Sequence, residues 1–406
     1  MKTIVIGGGA AGMMTAYYRQ ISGSEVILIE KNEKLGKKLY ITGKGRCNLT
    51  NDCSVEEFLN NVVSNPKFLL SSIHNYTPKD TMDFFECYGL QLKVERGNRV
   101  FPLSDKSNDV IKTLNYALNT AGVDIKLNET VTEIIVENNV VKGVKTDKGE
   151  YFADSVIVAT GGKSYPTTGS TGDGYKFAKN LGHTVTNLRP SLCGLNLKGD
   201  DFKSLQGLTL KNVKLVAKDK KGVFYSEMGE MLFTHYGISG PLVLTLSALF
   251  NGRNASDVSV YIDLKPALDN KQLNDRVLRD LKLNINKEFR NSLDGLLPKA
   301  LIPLIIKRSG IPEYKRNNVI TVEERNKLVY VLKNLDFSVN SLRDYTEAVV
   351  TSGGVHVKDI NPKTMESKLV KGLYFVGEVL DVDAFTGGFN LQIAFSTAHS
   401  AGVDIK

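Results

Sequence analysis

Residues 2–12 read Lys-Thr-Ile-Val-Ile-Gly-Gly-Gly-Ala-Ala-Gly, an apolar strand running straight into Gly7-x-Gly9-x-x-Gly12. Helix-compatible sequence follows, and the next apolar run, Val-Ile-Leu-Ile at 26–29, ends on Glu30. The glycine pattern therefore lies between a strand and a helix, the context in which it binds a dinucleotide. Gly7 permits the tight turn, Gly9 lets a pyrophosphate approach the backbone, and Gly12 lets helix and strand pack closely. Ala10 and Ala11 open the helix, whose free N–H groups and positive dipole end favour phosphate. Glu30 lies 18 residues beyond Gly12, where an acid accepts hydrogen bonds from ribose hydroxyls. A carboxylate there repels a 2′-phosphate, so the adenosine belongs to NAD or FAD and not to NADP.

At 406 residues the chain is long enough for two or three domains. Its 42% apolar and 24% charged residues are those of an ordinary globular protein. No apolar run approaches the ~20 residues of a membrane span, and the first apolar stretch is the Rossmann strand, which argues against a signal peptide. Cys47, Cys53, Cys87 and Cys193 form no C-x-x-C pair, so neither a redox disulfide nor structural zinc is expected, and no metal site is read. A reduced, cytoplasmic setting is the expectation. The net charge is +8, and residues 271–333 alone hold 14 Lys/Arg against 7 Asp/Glu. That segment reads either as solvated helix faces, the reading preferred, or as a docking surface for nucleic acid.

Strand and helix signals alternate through the first ~190 residues. Residues 108–121 have helical periodicity and end at Gly122; 123–127, 131–137 and 140–146 read as strands, with Asn138-Asn139 as a hairpin turn. From 190 to 345 the pattern becomes β-rich and barrel-like, at 208–217, 223–225 and 258–264. Inside it, 271–335 turns helical: Leu273, Val277 and Leu281 share one face, and Thr321-x-x-Glu324 offers a capping box. A buried strand at 372–378 and a helix at 390–401 then return to the first domain. The expected domains are 1–190 plus 346–406, a nucleotide-binding Rossmann-type α/β unit; 191–270 plus 336–345, a β-rich insert; and 271–335, a small basic helical domain.

Three further segments suit one cofactor. A strand ending in Gly161-Gly162 lets backbone cross close to a dinucleotide. Gly377-Glu378 ends another strand, and Glu378 can accept hydrogen bonds from ribityl hydroxyls, which NAD lacks. Gly387-Gly388-Phe389-Asn390-Leu391 opens the last helix, whose amino end can stabilise an anionic reduced flavin. These features select FAD. Residues 36–51 form a glycine- and cation-rich loop in which Lys38 or Arg46 can neutralise pyrophosphate.

Five motifs together resemble a bacterial family of FAD-binding oxidoreductases, the aminoacetone-oxidase-like and bile-acid 4,6-reductase-like flavoproteins. They are Ile41-Thr-Gly-Lys-Gly-Arg-Cys-Asn-Leu-Thr-Asn51, Phe233-Thr-His-Tyr-Gly-Ile-Ser-Gly-Pro241, Thr351-Ser-Gly-Gly-Val355, Leu373-Tyr-Phe-Val-Gly-Glu-Val-Leu-Asp381 and Gly387-Gly-Phe-Asn-Leu-Gln392. The resemblance spans essentially the whole chain. It implies a Rossmann-type FAD-binding domain interrupted by a β-barrel-like insertion and a small helical domain. It places FAD contacts on residues 7–12, on Glu30 and Lys31, and on Lys37 and Lys38. The loop Thr42, Gly43, Gly45, Arg46 and Asn48 would join them, as would the Val131 backbone and Gly161. Gly377, Glu378, Phe389, Asn390 and Leu391 would hold the ribityl and flavin end. Phe389 departs from the tyrosine common in the family, which removes a hydroxyl but leaves a backbone contact intact.

Two residues stand out as acids or bases for the reacting side: His235, between a strand and an expected helix, and Tyr165, just after the second glycine pair. Thr42, Arg46 and Ser164 are weaker candidates for orienting a substrate, and His74, His183, His356 and His399 read as structural. The expected activity is hydride transfer through flavin N5, from transiently bound NADH or NADPH to an activated C=C of a small organic molecule. No second Gly-x-Gly-x-x-Gly provides a nicotinamide domain, a point for the alternative, an amine or aminoketone oxidase using oxygen. An RNA-associated flavoprotein gripping through 271–333 and a non-catalytic FAD sensor are the readings from other classes.

Overall fold

The computed structural model describes residues 1–403. They form two compact units, residues 1–191 with 344–406 and residues 192–343, of which the last three residues of the first lie outside the description. The first unit is built on a five-stranded parallel sheet in the order Leu373–Phe375, Ser155–Val158, Lys2–Ile6, Glu25–Glu30, Asp124–Leu127. The chain leaves the central strand to one side, then returns to the other, which creates a switch point beside Lys2–Ile6. Its strands are nearly all apolar because both sheet faces are covered; Ile4, Val5, Leu28, Val156, Ile157 and Phe375 have no solvent exposure. Helices Ala10–Ile21, Ser107–Ala121 and Phe389–Val403 belong to this unit, and the last is buried along most of its length.

Local chemistry explains the element ends. Ser107–Ala121 stops at Gly122, which takes φ +84° and donates back to the Leu118 and Asn119 carbonyls. The hairpin between Val131–Glu137 and Val140–Thr146 turns on Asn138 and Asn139, both at positive φ, as a two-residue turn matched to strand twist requires.

The second unit is a closed barrel of six antiparallel strands: Leu195–Leu197, Gly237–Ser239, Gly222–Thr234, Thr209–Asp219, Ser259–Asp263 and Leu335–Leu342, in that order around the barrel. The strand 209–219 nearly matches the expected 208–217, whereas its partner 222–234 runs far beyond the expected 223–225, and their pairing shifts register at Leu210/Val213 and Ala217/Lys218. Leu195, Leu215, Phe233, Ile238, Val260 and Val339 are wholly buried, and Phe233 meets Phe337 edge to face at 5.7 Å. Helices Asn270–Leu283, Ile302–Ser309 and Val322–Lys333 enter between the last two strands. Their buried faces, including Leu273, Val277, Ile305 and Leu332, belong to the same apolar cluster as the barrel. The helical segment is therefore part of the barrel unit and not a body of its own. Among the described residues no helix is long and apolar enough to cross a membrane.

Phe233→Ala empties a filled barrel. It is expected to cost about 3–5 kcal/mol, read as a clear fall in the denaturant midpoint with an unchanged m-value.

Candidate cofactor site

One cavity follows the carboxyl ends of all five parallel strands. In strand order it is lined by Val376 and Glu378, by Ala159–Gly161, by Gly7–Gly9, by Glu30 and by Glu129–Val131. Five strands at about 4.8 Å spacing give this edge a span of about 19 Å, suited to an extended dinucleotide.

The glycines divide by function. Gly7 adopts φ +104°, and a Cβ there would stand 2.7 Å from the Ala159 carbonyl oxygen; a Cβ on Gly12 would stand 1.8 Å from the Gly7 oxygen. Gly8, a variable position in the sequence pattern, is crowded by side chains and not by backbone. Its Cβ would meet Leu35 at 2.2 Å, and its N–H donates to Glu30 Oε2 at 2.7 Å. Gly9 is different: φ is −82°, and nothing lies within 4 Å of where its Cβ would be. The first helix begins there with no side-chain cap, and Ala10 and Ala11 line the cavity. An uncapped helix end with open space before it suits a pyrophosphate.

The buried Glu30 carboxylate is oriented as well as placed: Oε1 accepts from the Asn32 N–H at 2.8 Å and from Asn32 Nδ2 at 2.6 Å. At the other end, Glu378 gathers three donors. Oε1 accepts from Thr351 N–H at 2.9 Å and Ser164 Oγ at 3.0 Å, while Oε2 pairs with Lys38 Nζ at 2.6 Å. Gly162 makes room for this cluster, since a Cβ would fall 2.6 Å from Glu378 Oε1. Asn390 and Leu391 line the cavity at the start of Phe389–Val403. The Asn390 side chain itself is committed, accepting from Ala384 N–H at 3.0 Å and donating to the Ala384 and Phe385 carbonyls. Thr160 Oγ1, on the cavity wall, is buried with no partner among the described residues. An orphaned polar atom beside a built cavity suits a polar ligand.

Several expected residues take other roles. Lys31 lines the cavity but bonds Thr171 Oγ1 at 2.6 Å and Asp173 at 2.7 Å. Burial opposes the Asp173 charge, yet Lys31 and Thr171 hold its carboxyl below the usual value. Lys37 reaches Glu33 at 3.1 Å and Asn32 at 3.3 Å. Arg46 does not line the cavity. Its guanidinium grips Asp105 at 2.8 Å and Glu95, and lies over the Phe101 ring at 4.2 Å. Gly43, Lys44 and Gly45 before it, and Cys47 after it, all take positive φ, so Arg46 ties down a contorted loop. Thr42 lines the cavity from the same loop; Gly43, Gly45 and Asn48 do not. Gly377 packs against Ala11, where a Cβ would stand 2.8 Å from the alanine methyl, and Phe389 packs on Phe58 at 5.7 Å. Both support the wall from behind.

Tyr165 sits in the left-handed region at φ +53°. Burial raises its hydroxyl pKa, with the Glu347 charge adding to the effect. His235 is exposed and, with Tyr236, makes the two-residue turn between Gly222–Thr234 and Gly237–Ser239. The expected strand-to-helix junction is thus a hairpin, because Gly237 pairs back to Thr234 before Pro241 opens the helix. The two residues belong to different units. Sequence reasoning gave no role to Asn32, Glu129, Gly169 or Val350, which also line the cavity; none stands in a glycine motif. Thr351 lay inside a recognised motif, and its neighbours Gly353 and Gly354 were the available signal.

A helix end open to phosphate, an acid set for ribose and glycine crossings along one parallel edge define a Rossmann-type dinucleotide-binding protein, and residues 1–404 match the model described as the HI0933-like protein Rossmann domain. The chain belongs to this FAD-binding family, whose members are oxidoreductases. It is 31% identical over 407 residues to a 3-dehydro-bile acid delta(4,6)-reductase of Clostridium scindens, covering 98% of this chain and 97% of that one. It is 32% identical over 411 residues to a ribosomal RNA dihydrouridine synthase of Haemophilus influenzae, covering 100% and 98%. Among solved structures, the 3-ketosteroid delta1-dehydrogenase of Sterolibacterium denitrificans shares the fold, with a TM-score of 0.55 at 13% identity over 98% of each chain.

Two predictions follow from the glycines and the loop. Gly12→Ala should destabilise the protein by about 1–3 kcal/mol through overpacking, whereas Gly9→Ala should leave the melting temperature of the cofactor-free protein nearly unchanged while weakening FAD retention at least about tenfold. Differential scanning fluorimetry and flavin release by gel filtration separate the two. For the loop, the hydrogen bond to Arg46 holds the Glu95 carboxyl below its ordinary value, and Lys93 then Arg46 do the same for Asp105. Depressed carboxyl values stabilise the fold above the unfolded pKa and lose that effect on acidification. Flavin retention should therefore fall from about pH 4 downward, and Arg46→Ala should release flavin already at pH 7 with a flatter acid dependence.

Proposed function

We propose that this protein reduces a carbon–carbon double bond conjugated to a carbonyl, with electrons from NADH or NADPH. The observation carrying this reading is whole-length similarity to two proteins whose names describe that bond. A 3-oxo-4,6-diene and the C5–C6 bond of uracil are both alkenes polarised by a neighbouring C=O. In such a reduction hydride adds to the β-carbon and a proton to the α-carbon, and NAD(P)H leaves as NAD(P)+.

FAD would be held by the Gly9 turn, the Ala10 and Ala11 amides, Glu30, the Lys38–Glu378 cluster and the Leu391 backbone, and it supplies hydride chemistry at N5. The chain contributes the rest. The amino end of Phe389–Val403 brings a positive dipole end to the cavity, which favours negative charge there. Lys38 keeps the Glu378 charge balanced while leaving its oxygens fixed for hydroxyl donors. Tyr165, three residues before the cavity-lining Thr168, is the candidate to deliver the proton to carbon; burial raises its hydroxyl pKa, which keeps it protonated and makes it a weaker acid.

Whether the alkene is free or part of RNA divides the reading. The dihydrouridine synthase relative favours a uracil in RNA. Within the basic segment, Arg276, Arg290, Lys307, Arg308, Lys315 and Lys333 already hold carboxylates. Lys271, Arg279, Lys282 and Lys287 remain exposed there for phosphate. A free small enone needs none of these cations and is the simpler substrate.

Anaerobic titration of the FAD-loaded protein with NADH, then NADPH, should bleach the flavin band. A 3-oxo-4,6-diene steroid or a uridine-containing ribosomal RNA transcript should then restore it, and which one does so identifies the substrate class. Tyr165→Phe should leave bleaching intact and slow the second half-reaction about 100-fold or more. Peroxide production from amines by a flavin that neither nicotinamide bleaches would overturn the reading in favour of an oxidase.

A further inference from the structure

We propose that the first unit carries a second ligand site, a groove between its first helix, the helix Pro78–Cys87 and its last helix, which binds a small organic ammonium ion. Nothing in the cofactor chemistry uses this groove. Tyr17 and Tyr18 reach it from Ala10–Ile21, Phe84 from Pro78–Cys87, and Tyr76, Tyr88 and His399 complete the aromatic lining. The rings are mutually braced: Tyr17 lies 5.3 Å from Phe84 and 5.8 Å from Tyr88, Tyr18 5.7 Å from Tyr76, and His399 stacks on Tyr76 at 4.7 Å. A hydrogen bond of 2.9 Å from the Tyr88 hydroxyl to that of Tyr17 holds two rims of the groove together. A cluster of aromatic rings lining a groove can attract alkylated ammonium groups through cation–π interaction.

The charge of the groove points to the same ligand. The chain carries a net charge of +8, yet among the described residues no lysine or arginine lines this groove, whereas Asp80 and Asp83 do. Asp80 Oδ2 caps its helix, accepting from the Thr77 N–H at 2.7 Å and hydroxyl at 2.6 Å, and Oδ1 makes no bond among the described residues. Asp83 uses Oδ1 for the exposed Lys79 and keeps Oδ2. The Asp80 charge is felt by Tyr18, Tyr76 and His399 alike, which places a negative potential among the rings. His399 Nδ1 is buried with no partner among the described residues. Burial lowers the imidazole pKa, with Asp80 opposing, so the ring is neutral near pH 7 and adds no competing positive charge. Aromatic walls and net negative charge suit a cation with apolar substituents better than an anion, a neutral apolar molecule or a bare metal ion.

Calorimetric titration of the FAD-loaded protein with choline, and with its neutral isostere 3,3-dimethylbutan-1-ol, tests the proposal. Choline should bind saturably and at least about tenfold more tightly than the alcohol, with the visible flavin spectrum unchanged. Asp83→Asn, which spares the helix cap, and Tyr88→Leu should each weaken choline several-fold. Equal affinity for the two molecules would reduce the groove to a plain apolar depression. No saturable heat, unaltered binding in both variants, or a flavin spectral shift marking the first cavity as the choline site would each overturn the proposal.

Discussion

The contact that everything else in the nucleotide unit depends on is the approach of the first helix to the first strand. It exists because Gly12 lacks a side chain: any Cβ there would lie within 1.8 Å of a backbone oxygen. That approach fixes where the helix begins, and the helix start fixes where its unbonded N–H groups point. Gly377 repeats the device one layer away, letting a strand end settle against Ala11. The wall of the cavity is thus set by backbone packing, which is stiff, and polar side chains are added to a surface already in place.

Those polar side chains form two clusters of different character. Around Glu378 the donors come from residues distant in sequence, Lys38, Ser164 and Thr351, and each fixes an oxygen that faces the cavity. Around Arg46 the partners are Glu95 and Asp105, with Lys93 and Arg99 at the margin. This second network lies off the cavity and acts through the loop it restrains. One arrangement presents charge to a ligand; the other spends it on geometry.

The sequence made the parallel sheet, the fingerprint turn and the buried acid ending the second strand legible because glycine spacing and strand burial are local properties. The Asn138-Asn139 hairpin and the Thr321–Glu324 capping box were legible for the same reason. What a charged side chain would hold was not. Arg46 and Lys38 stand in one cationic loop, yet one pairs with residues some 50 positions on and the other with Glu378. The sequence could not show that the Asn390 side-chain amide is held by the segment just before it, although Asn390 lines the cavity at the start of the last helix. The boundary of the helical segment was illegible too. Its apolar faces have the right period, but periodicity cannot say against which core they pack, and here the core is the barrel's own.

The nucleotide unit is assembled from both ends of the chain, with residues 192–343 folded as a separate compact unit between them. During synthesis the barrel strands emerge complete while the parallel sheet still lacks Leu373–Phe375 and the helix Phe389–Val403. Domains fold as units when their residues are available. The intervening unit therefore has all its residues first, and the older sheet waits, apolar edge uncovered, for roughly the last sixty residues of the chain described here. The interrupted topology turns cofactor loading into a late event in the life of each molecule, tied to the arrival of one short strand and one buried helix.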